Sequence, residues 1–307
     1  MLPFKPDVPD ALSAHTLCVT GHGGYVGRHL VAALIDAGHR PFLIGRPQVE
    51  QTPIAGADMA RPWTNAADLG AQLANLTQPI ILSIAGHFVS RHSATDIPAL
   101  VAGNLEFPLT IFEAACHAGQ ARIVNIGTSW EYSDKGAATP ANLYAELKAA
   151  NAAALSYYAR TETCAGINLK LNDTFGGDDT RGKLLGAMRA AWRDGREMAL
   201  RARAQPINLL YISDVIEGIL AAAARTASLT QGTVETAFLL HDETTTVGAV
   251  ADRVAQVAPA FACRFEDTRP DTPGLRGIWP DAPRLAGWSS RVPLDDGLRA
   301  YFSRKDT

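Results

Sequence analysis

A chain of 307 residues, 47% hydrophobic and 19% charged, can bury a large core and has the composition of a globular protein, not of a disordered or fibrous one. Its formal net charge of -3, without long blocks of one sign, offers no electrostatic footprint for nucleic acid or an anionic membrane, so the expected partner is a small molecule. Four scattered cysteines (Cys18, Cys116, Cys164, Cys263) have neither zinc-site spacing nor the density of a disulfide framework, which makes a reducing cytoplasm the expected compartment.

The N-terminus, with Pro3, Pro6, Pro9, Asp7 and Asp10, lacks the charged-then-apolar order of a signal peptide, and no apolar run approaches the ~20 residues of a membrane span. The first apolar run, His15 to Thr20, reads as a buried strand. It enters Thr20-Gly21-His22-Gly23-Gly24-Tyr25-Val26-Gly27, and an amphipathic helix from Tyr25 to Ala37 then stops at Gly38. Glycines at such a turn let the backbone approach a pyrophosphate and pack the helix close to the sheet, while the helix start offers free N–H groups. Gly21, Gly24, Tyr25, Val26 and Gly27 are therefore candidate cofactor contacts, the alternative being a tight turn without a ligand.

The second strand, Pro41 to Ile44, runs into Gly45-Arg46, where an NAD-selective site usually places an acidic residue for the ribose 2'-hydroxyl. Arg46 suits a 2'-phosphate instead, which favours NADP (NADPH) over NAD; a solvated surface arginine is the alternative. Asp58 is a candidate to bond the adenine amino group, or else an exposed loop aspartate. After the strand Pro79 to Ile84 come His87 and His92. With His22 they form no ligand set, so no metal is expected, but His87 at a sheet end is a candidate substrate contact. The helix Pro98 to Ala118 carries Asn104 where asparagine is locally disfavoured. Asn104 is a candidate to position water or the lysine side of a proton relay, or it is a satisfied buried amide.

A strand from Arg122 to Ile126 precedes Thr128, whose hydroxyl stands where sheet ligands gather. The helix Ala141 to Arg160 then places Tyr144 and Lys148 one turn apart. A tyrosine with a pKa near ~10 works poorly as a proton donor at neutral pH unless its phenolate is stabilised, and the Lys148 ammonium is expected to lower that pKa. With the strand Ile167 to Leu171, this alternation predicts an α/β fold: a Rossmann-type doubly wound parallel sheet over residues 14–172, rejoined by 206–240. Residues 173–205 and 241–307 are expected to form a smaller, irregular C-terminal substrate-binding region. It includes the glycine-rich, charged stretch Gly176 to Gly182, a helix near Lys183 to Asp194, and the proline-rich Arg269 to Pro283.

The constellation resembles the extended short-chain dehydrogenase/reductases, specifically the NAD-dependent epimerase/dehydratase family of nucleotide-sugar enzymes. Besides the glycine turn and Tyr144-Ala145-Glu146-Leu147-Lys148, the segment Gly127-Thr128-Ser129-Trp130-Glu131-Tyr132 is similar to the family's catalytic Ser/Thr stretch, in which counting back four from Tyr132 selects Thr128. Leu209 to Val215 and Leu285 to Leu298 resemble its later elements. Leu171 to Leu184 looks most like NDP-4-keto-6-deoxyhexose and CDP-4-keto-dideoxyhexose reductases, which reduce a C4 ketone with NADPH.

The resemblance implies that Asn172 and Asp173 line the nicotinamide and sugar-diphosphate region. It also implies that Lys183 and an arginine near Arg201 or Arg203 face the nucleotide diphosphate, although a carboxylate at Asp173 would repel one. It implies a homodimer through the helices at Pro98 to Ala118 and Ala141 to Arg160. Related 4,6-dehydratases carry Asp-Glu directly after the catalytic threonine, where this chain has Ser129 and Trp130, so dehydration is not expected. The expected reaction is NADPH-dependent reduction of a nucleotide-linked 4-keto-deoxysugar. The alternatives are a nucleotide-sugar epimerase, which usually favours NAD, and a non-catalytic NADP sensor.

Overall fold

A computed structural model describes residues 4–47, 51–89, 91–119, 121–161, 164–179, 181–266 and 278–303. The first strand, β1 (Leu17–Thr20), is buried along its whole length, as suits a strand covered on both faces. It leads into α1 (Tyr25–Asp36), β2 (Phe42–Ile44), β3 (Asp58–Met59), α2 (Ala66–Leu73) and β4 (Ile80–Ser83). The helices α3 (Ile97–Val101) and α4 (Phe107–His117) are joined by one π-helical stretch, Ala102–Glu106. There follow β5 (Ala121–Thr128), α5 (Leu143–Thr161), β6 (Cys164–Leu171), β7 (Asp173–Phe175), α6 (Leu184–Arg193), β8 (Glu197–Arg201), β9 (Pro206–Ile207) and β10 (Leu209–Tyr211). The last elements are α7 (Ile212–Ala227), β11 (Val234–Leu239), β12 (Thr245–Thr246), α8 (Val247–Val257), β13 (Ala262–Glu266) and α9 (Leu294–Ser303).

Seven parallel strands form one sheet in the order β11-β6-β5-β4-β1-β2-β3, the Rossmann-type doubly wound arrangement expected from the alternating pattern. Successive residues of a strand feed opposite faces. Leu17 and Val19 of β1 join the core beneath α1 and α7, whereas Cys18 joins the one beneath α2, α4 and α5. Chain order reverses between β1 and β4, Val19 pairing with Leu43 on one side and Leu82 on the other. That switch point opens a crevice at the carboxyl ends of the strands.

The sheet is larger than the five apolar runs predict. The two-residue edge strand β3 is too short to have its own periodicity, and β11 returns from the far side of α7 to pair with β6. Apart from β11, the described strands after β6 pair in twos: β7 with β10, β8 with β13, and β9 with β12. Residues 267–277, most of the proline-rich stretch, lie outside the described residues. One helical run, Ala94–His117, has the length and apolarity of a membrane span; half of it is buried, and α4 within it packs against α2 and α5.

Asp214, in the first turn of α7, is buried, and its Oδ2 accepts the Val292 N–H at 3.1 Å, tying the C-terminal segment to α7. Burial pushes its carboxyl up to about 6. A raised acid holds its proton more tightly in the folded state, so this group's contribution to stability falls as pH rises from about 4 through about 6. The variant Asp214→Asn escapes that loss. Urea denaturation should show its stability improving relative to the parent by about 2 kcal/mol between pH 4.5 and 7.5; a difference that stays constant with pH contradicts the assignment.

Candidate active site

Thr20 closes β1 at the switch point. Its hydroxyl accepts the N–H groups of Ile84 and Ala85 at 3.0 and 3.2 Å, so the turns after β1 and β4 are fixed to each other. Gly21 has φ +67°, and a Cβ there would sit 2.7 Å from the Ala85 Cα; a Cβ on Gly27 would sit 2.1 Å from the Gly21 carbonyl oxygen. Side chains are therefore excluded where a pyrophosphate must approach backbone. Gly24 begins α1 without a side-chain cap, leaving the first amides of the helix to an anion. This cradle fits a dinucleotide.

A cavity of about 910 Å³ extends from the glycine turn across the ends of β2, β4, β5 and β6. Gly21, Gly24, Tyr25, Val26, Gly27, Arg46, Thr128, Tyr144, Lys148, Asn172, Asp173 and Lys183 all line it. Arg46 makes no ion pair with any described residue. Gly103 on the π-helical stretch lies beside it, and a Cβ there would sit 2.9 Å from the His87 Cβ, so the glycine lets this stretch pack against the turn after β4. An uncommitted guanidinium at the end of β2 suits a phosphate dianion.

Lys148 is buried, and its Nζ donates to the carbonyl oxygens of Ile126 (3.0 Å) and Ala85 (3.2 Å). Burial pushes its ammonium down to about 8, against the opposing field of the Glu131 carboxylate. Tyr144, on the first turn of α5, packs edge-on against Phe88 with ring centres 5.1 Å apart. Burial, then Glu131, push its phenol well above the ordinary value, while Arg181 pulls it down. The expected lowering by Lys148 is therefore not what governs this group among the described side chains. Desolvation of the phenolate outweighs the positive charge, and the ammonium is already engaged by two carbonyls.

Thr128 ends β5 with its hydroxyl accepting the Trp130 N–H at 3.3 Å, and its own N–H donates to Glu131 Oε1 at 2.8 Å. Glu131 is turned inward from this turn to form a buried ion pair with Lys170 of β6. A carboxylate locked in that way is not presented to a substrate as an acid or base.

Four anticipated residues stand apart from the cavity wall. Asp58 pairs with Arg40 through two bonds, 2.8 and 2.7 Å long, at the exposed edge of the sheet. Asn104 accepts the His87 N–H at 3.1 Å and donates to the His87 and Leu100 carbonyls at 2.7 and 3.0 Å, so it pins the turn after β4 from the π-helical stretch. His87 is held there by its backbone, while its neighbours Gly86 and Phe88 reach the wall. Arg201 lies exposed on β8, and the nearby Arg203 pairs with Asp252.

Of the remaining wall residues, Asn172 donates to the Leu239 carbonyl at 3.0 Å. Asp173 faces Lys183 at 3.6 Å, so its charge is offset and need not repel a diphosphate. Two features escaped sequence reasoning: an aromatic wall of Phe88 and Trp130, with ring centres 6.0 Å apart, and Arg181, whose guanidinium lies 3.8 Å over the Tyr25 ring. Among the described residues, no cluster of three or more His, Cys, Asp or Glu is arranged to hold a metal. Chemically, the wall offers a hydroxyl, a protonated phenol and a buried ammonium beside a dinucleotide cradle, the groups needed to reduce or oxidise at one oxygen-bearing carbon.

A model of the NAD dependent epimerase/dehydratase family matches residues 17–235. CDP-abequose synthase of Yersinia pseudotuberculosis is 30% identical over 205 residues, 66% of this chain and 71% of that protein. Among solved structures, the UDP-glucose 4-epimerase of Thermotoga maritima with UDP-glucose is similar with a TM-score of 0.76 at 16% identity, covering 94% of this chain and 97% of the other. The UDP-glucose 4-epimerase of Thermus thermophilus in complex with NAD has a TM-score of 0.75 at 20% identity over the same shares. Identities this low speak for the fold alone.

The Glu131–Lys170 pair yields a test of what shapes the turn after β5. Glu131→Gln leaves a buried ammonium without its counter-charge and should cost about 3 kcal/mol in urea denaturation, with the double change Glu131→Gln, Lys170→Met recovering most of it. A single-variant loss below about 1 kcal/mol would mean that the pair is not what holds the turn.

Proposed function

The chain belongs to the NAD dependent epimerase/dehydratase family, and from that premise we propose that it uses NADPH to reduce the C4 ketone of a nucleotide-linked 4-keto-deoxysugar. The observation that carries the proposal is the meeting of Thr128, Tyr144 and Lys148 in one cavity with the glycine cradle and an Arg46 that no described residue pairs. The likeness to CDP-abequose synthase supports a cytidine diphosphate sugar as the substrate.

The glycine turn and the α1 amides would hold the pyrophosphate of the cofactor, and Arg46 its 2'-phosphate. When bound, the nicotinamide supplies the hydride. The Thr128 hydroxyl hydrogen-bonds the ketone oxygen, and Tyr144 Oη gives its proton to that oxygen as the ketone becomes an alcohol. Burial serves this direction of chemistry, because a phenol with a raised pKa enters the reaction protonated. Lys148 places positive charge near the phenolate that is left, provided that its own proton remains bound. Asn172, Asp173 and Lys183 would face the sugar diphosphate. Exposed Ile97, Val101 and Tyr157 on α3 and α5 support pairing of two chains through these helices.

Epimerisation uses the same tyrosine but oxidises and re-reduces one carbon without net use of cofactor, and the arginine at position 46, in place of an acidic residue, favours net reduction. A sensor without turnover has no need for an intact Thr128, Tyr144 and Lys148. The deciding assay follows NADPH absorbance with CDP-linked 4-keto-deoxysugars. One equivalent of NADPH consumed per alcohol formed supports reduction; a stereoisomer formed without NADPH loss, or binding without turnover, contradicts it.

Two further outcomes are expected. Because the Lys148 charge is lost as pH rises through about 8, kcat/KM for reduction should fall above an apparent pKa near that value, and a profile flat from pH 6 to 10 would detach Lys148 from the reaction. Arg46→Asp should shift the NADPH/NADH preference toward NADH by about tenfold or more; an unchanged ratio removes Arg46 from the 2'-phosphate.

A further inference from the structure

Arg181 is a charged group built into the wall of the cavity to which the proposed reaction gives no task. Its Nε and Nη2 donate to the two Asp179 oxygens at 2.8 Å each, and Nη2 also donates to the Thr174 carbonyl and hydroxyl at 2.9 and 3.0 Å. The Asp179 carboxylate is almost wholly buried, and the Asp179 carbonyl accepts the Tyr301 hydroxyl of α9 at 2.9 Å. Three of the five guanidinium hydrogens are thus committed, and they fix the plane of the group. The two hydrogens on Nη1 bond to no described residue.

The position of that free edge is set from below as well. The guanidinium lies 3.8 Å over the ring of Tyr25, the residue that follows Gly24 at the start of α1. The Tyr25 hydroxyl donates to the Gly176 carbonyl at 2.9 Å. Arg28 Nη2 and His29 Nε2 meet Asp178 Oδ1 at 2.9 and 2.8 Å. The segment after β7 is therefore strapped across the helix start where a pyrophosphate would be received, with its guanidinium over the Tyr25 ring in the wall of the cavity. A carboxylate on one edge and a phosphate on the other is an arrangement that the planar fork of arginine permits and lysine does not.

We propose that Arg181 is a pyrophosphate ligand of the dinucleotide cofactor, donating from Nη1 to the diphosphate seated on the glycine turn. It would close from above a cradle that α1 builds from below. Because Lys183 follows Arg181 on the same strap and faces Asp173 of β7, cofactor binding would also set the wall on which the sugar nucleotide rests.

The inference rests on the dinucleotide cofactor of the proposed function and not on the identity of the sugar. Its test is equilibrium binding: NADPH fluorescence titration of the full chain without sugar nucleotide, with CDP titrated in parallel by calorimetry. Arg181→Gln should raise the NADPH Kd about tenfold or more while changing the CDP Kd by less than about twofold. Arg181→Lys, which keeps the charge without the fork, should raise the NADPH Kd at least about threefold, and it carries the test should the glutamine variant fail to fold. An NADPH Kd within about twofold of the parent in the folded variant, or weakened CDP binding with NADPH unaffected, overturns the assignment. A parent protein that binds neither NADPH nor NADH overturns it together with the proposed function, whereas tight NADPH binding without sugar turnover sinks only the latter.

Discussion

One buried ammonium organises the cavity end of this molecule. Lys148 is carried by α5 into the carboxyl ends of β4 and β5, where it has no carboxylate at bonding distance among the described residues and is held by the carbonyls of Ala85 and Ile126. A cation in such a place is costly, and its lowered pKa reports that cost. The site is therefore preorganised at the expense of stability, as is common where charge must be supplied during a reaction. Gly86 allows the arrangement, since a Cβ there would come 3.2 Å from Lys148 Nζ and 3.1 Å from Asn104 Oδ1. The π-helical stretch that carries Asn104 thus acts on the turn that carries the lysine's acceptor.

Three structural devices meet around this ammonium. The glycine turn brings bare backbone to the crevice, β5 brings the Thr128 hydroxyl, and the strap after β7 brings Arg181. Each depends on non-local pairing. The strap is laid by the parallel match of β7 with β10, Thr174 opposite Leu210, and is held down on α1 by Tyr25, Arg28 and His29. The Thr128 turn is shaped by a carboxylate that spends its charge on Lys170 inside the sheet. Glu131 is the acid that a reader of the sequence would watch for a role in dehydration, and its burial supports reduction or epimerisation instead.

What the sequence revealed was local chemistry. A strand, a glycine turn and a helix start are contiguous, and Tyr144 and Lys148 are one helical turn apart, so their spacing alone brought them to the same wall. Roles set by distant partners were hidden. Nothing near Asp58 announces Arg40 as its partner across the β2–β3 edge, and nothing near Arg201 announces that β8 pairs with β13, away from the cavity. Asn104 stood out as an asparagine inside a helix, yet neither the π-helical stretch nor its bonds to the His87 backbone follow from that anomaly. Arg181 lay inside a stretch that stood out for its resemblance, but its task emerges only once Asp179 and Thr174 have claimed one edge of the guanidinium. The raised pKa of Tyr144 was hidden for a related reason: sequence shows which charge is one turn away, whereas burial is a property of the assembled wall.

The central claim is that the phenol of Tyr144 delivers the proton, and single-turnover kinetics of Tyr144→Phe test it most directly. With a CDP-4-keto-deoxysugar and NADPH both saturating, removing one oxygen should slow NADPH oxidation by about a thousandfold while the NADPH Kd stays within about threefold of the parent. A variant that oxidises NADPH within about tenfold of the parent rate would place the proton donor elsewhere and contradict the account.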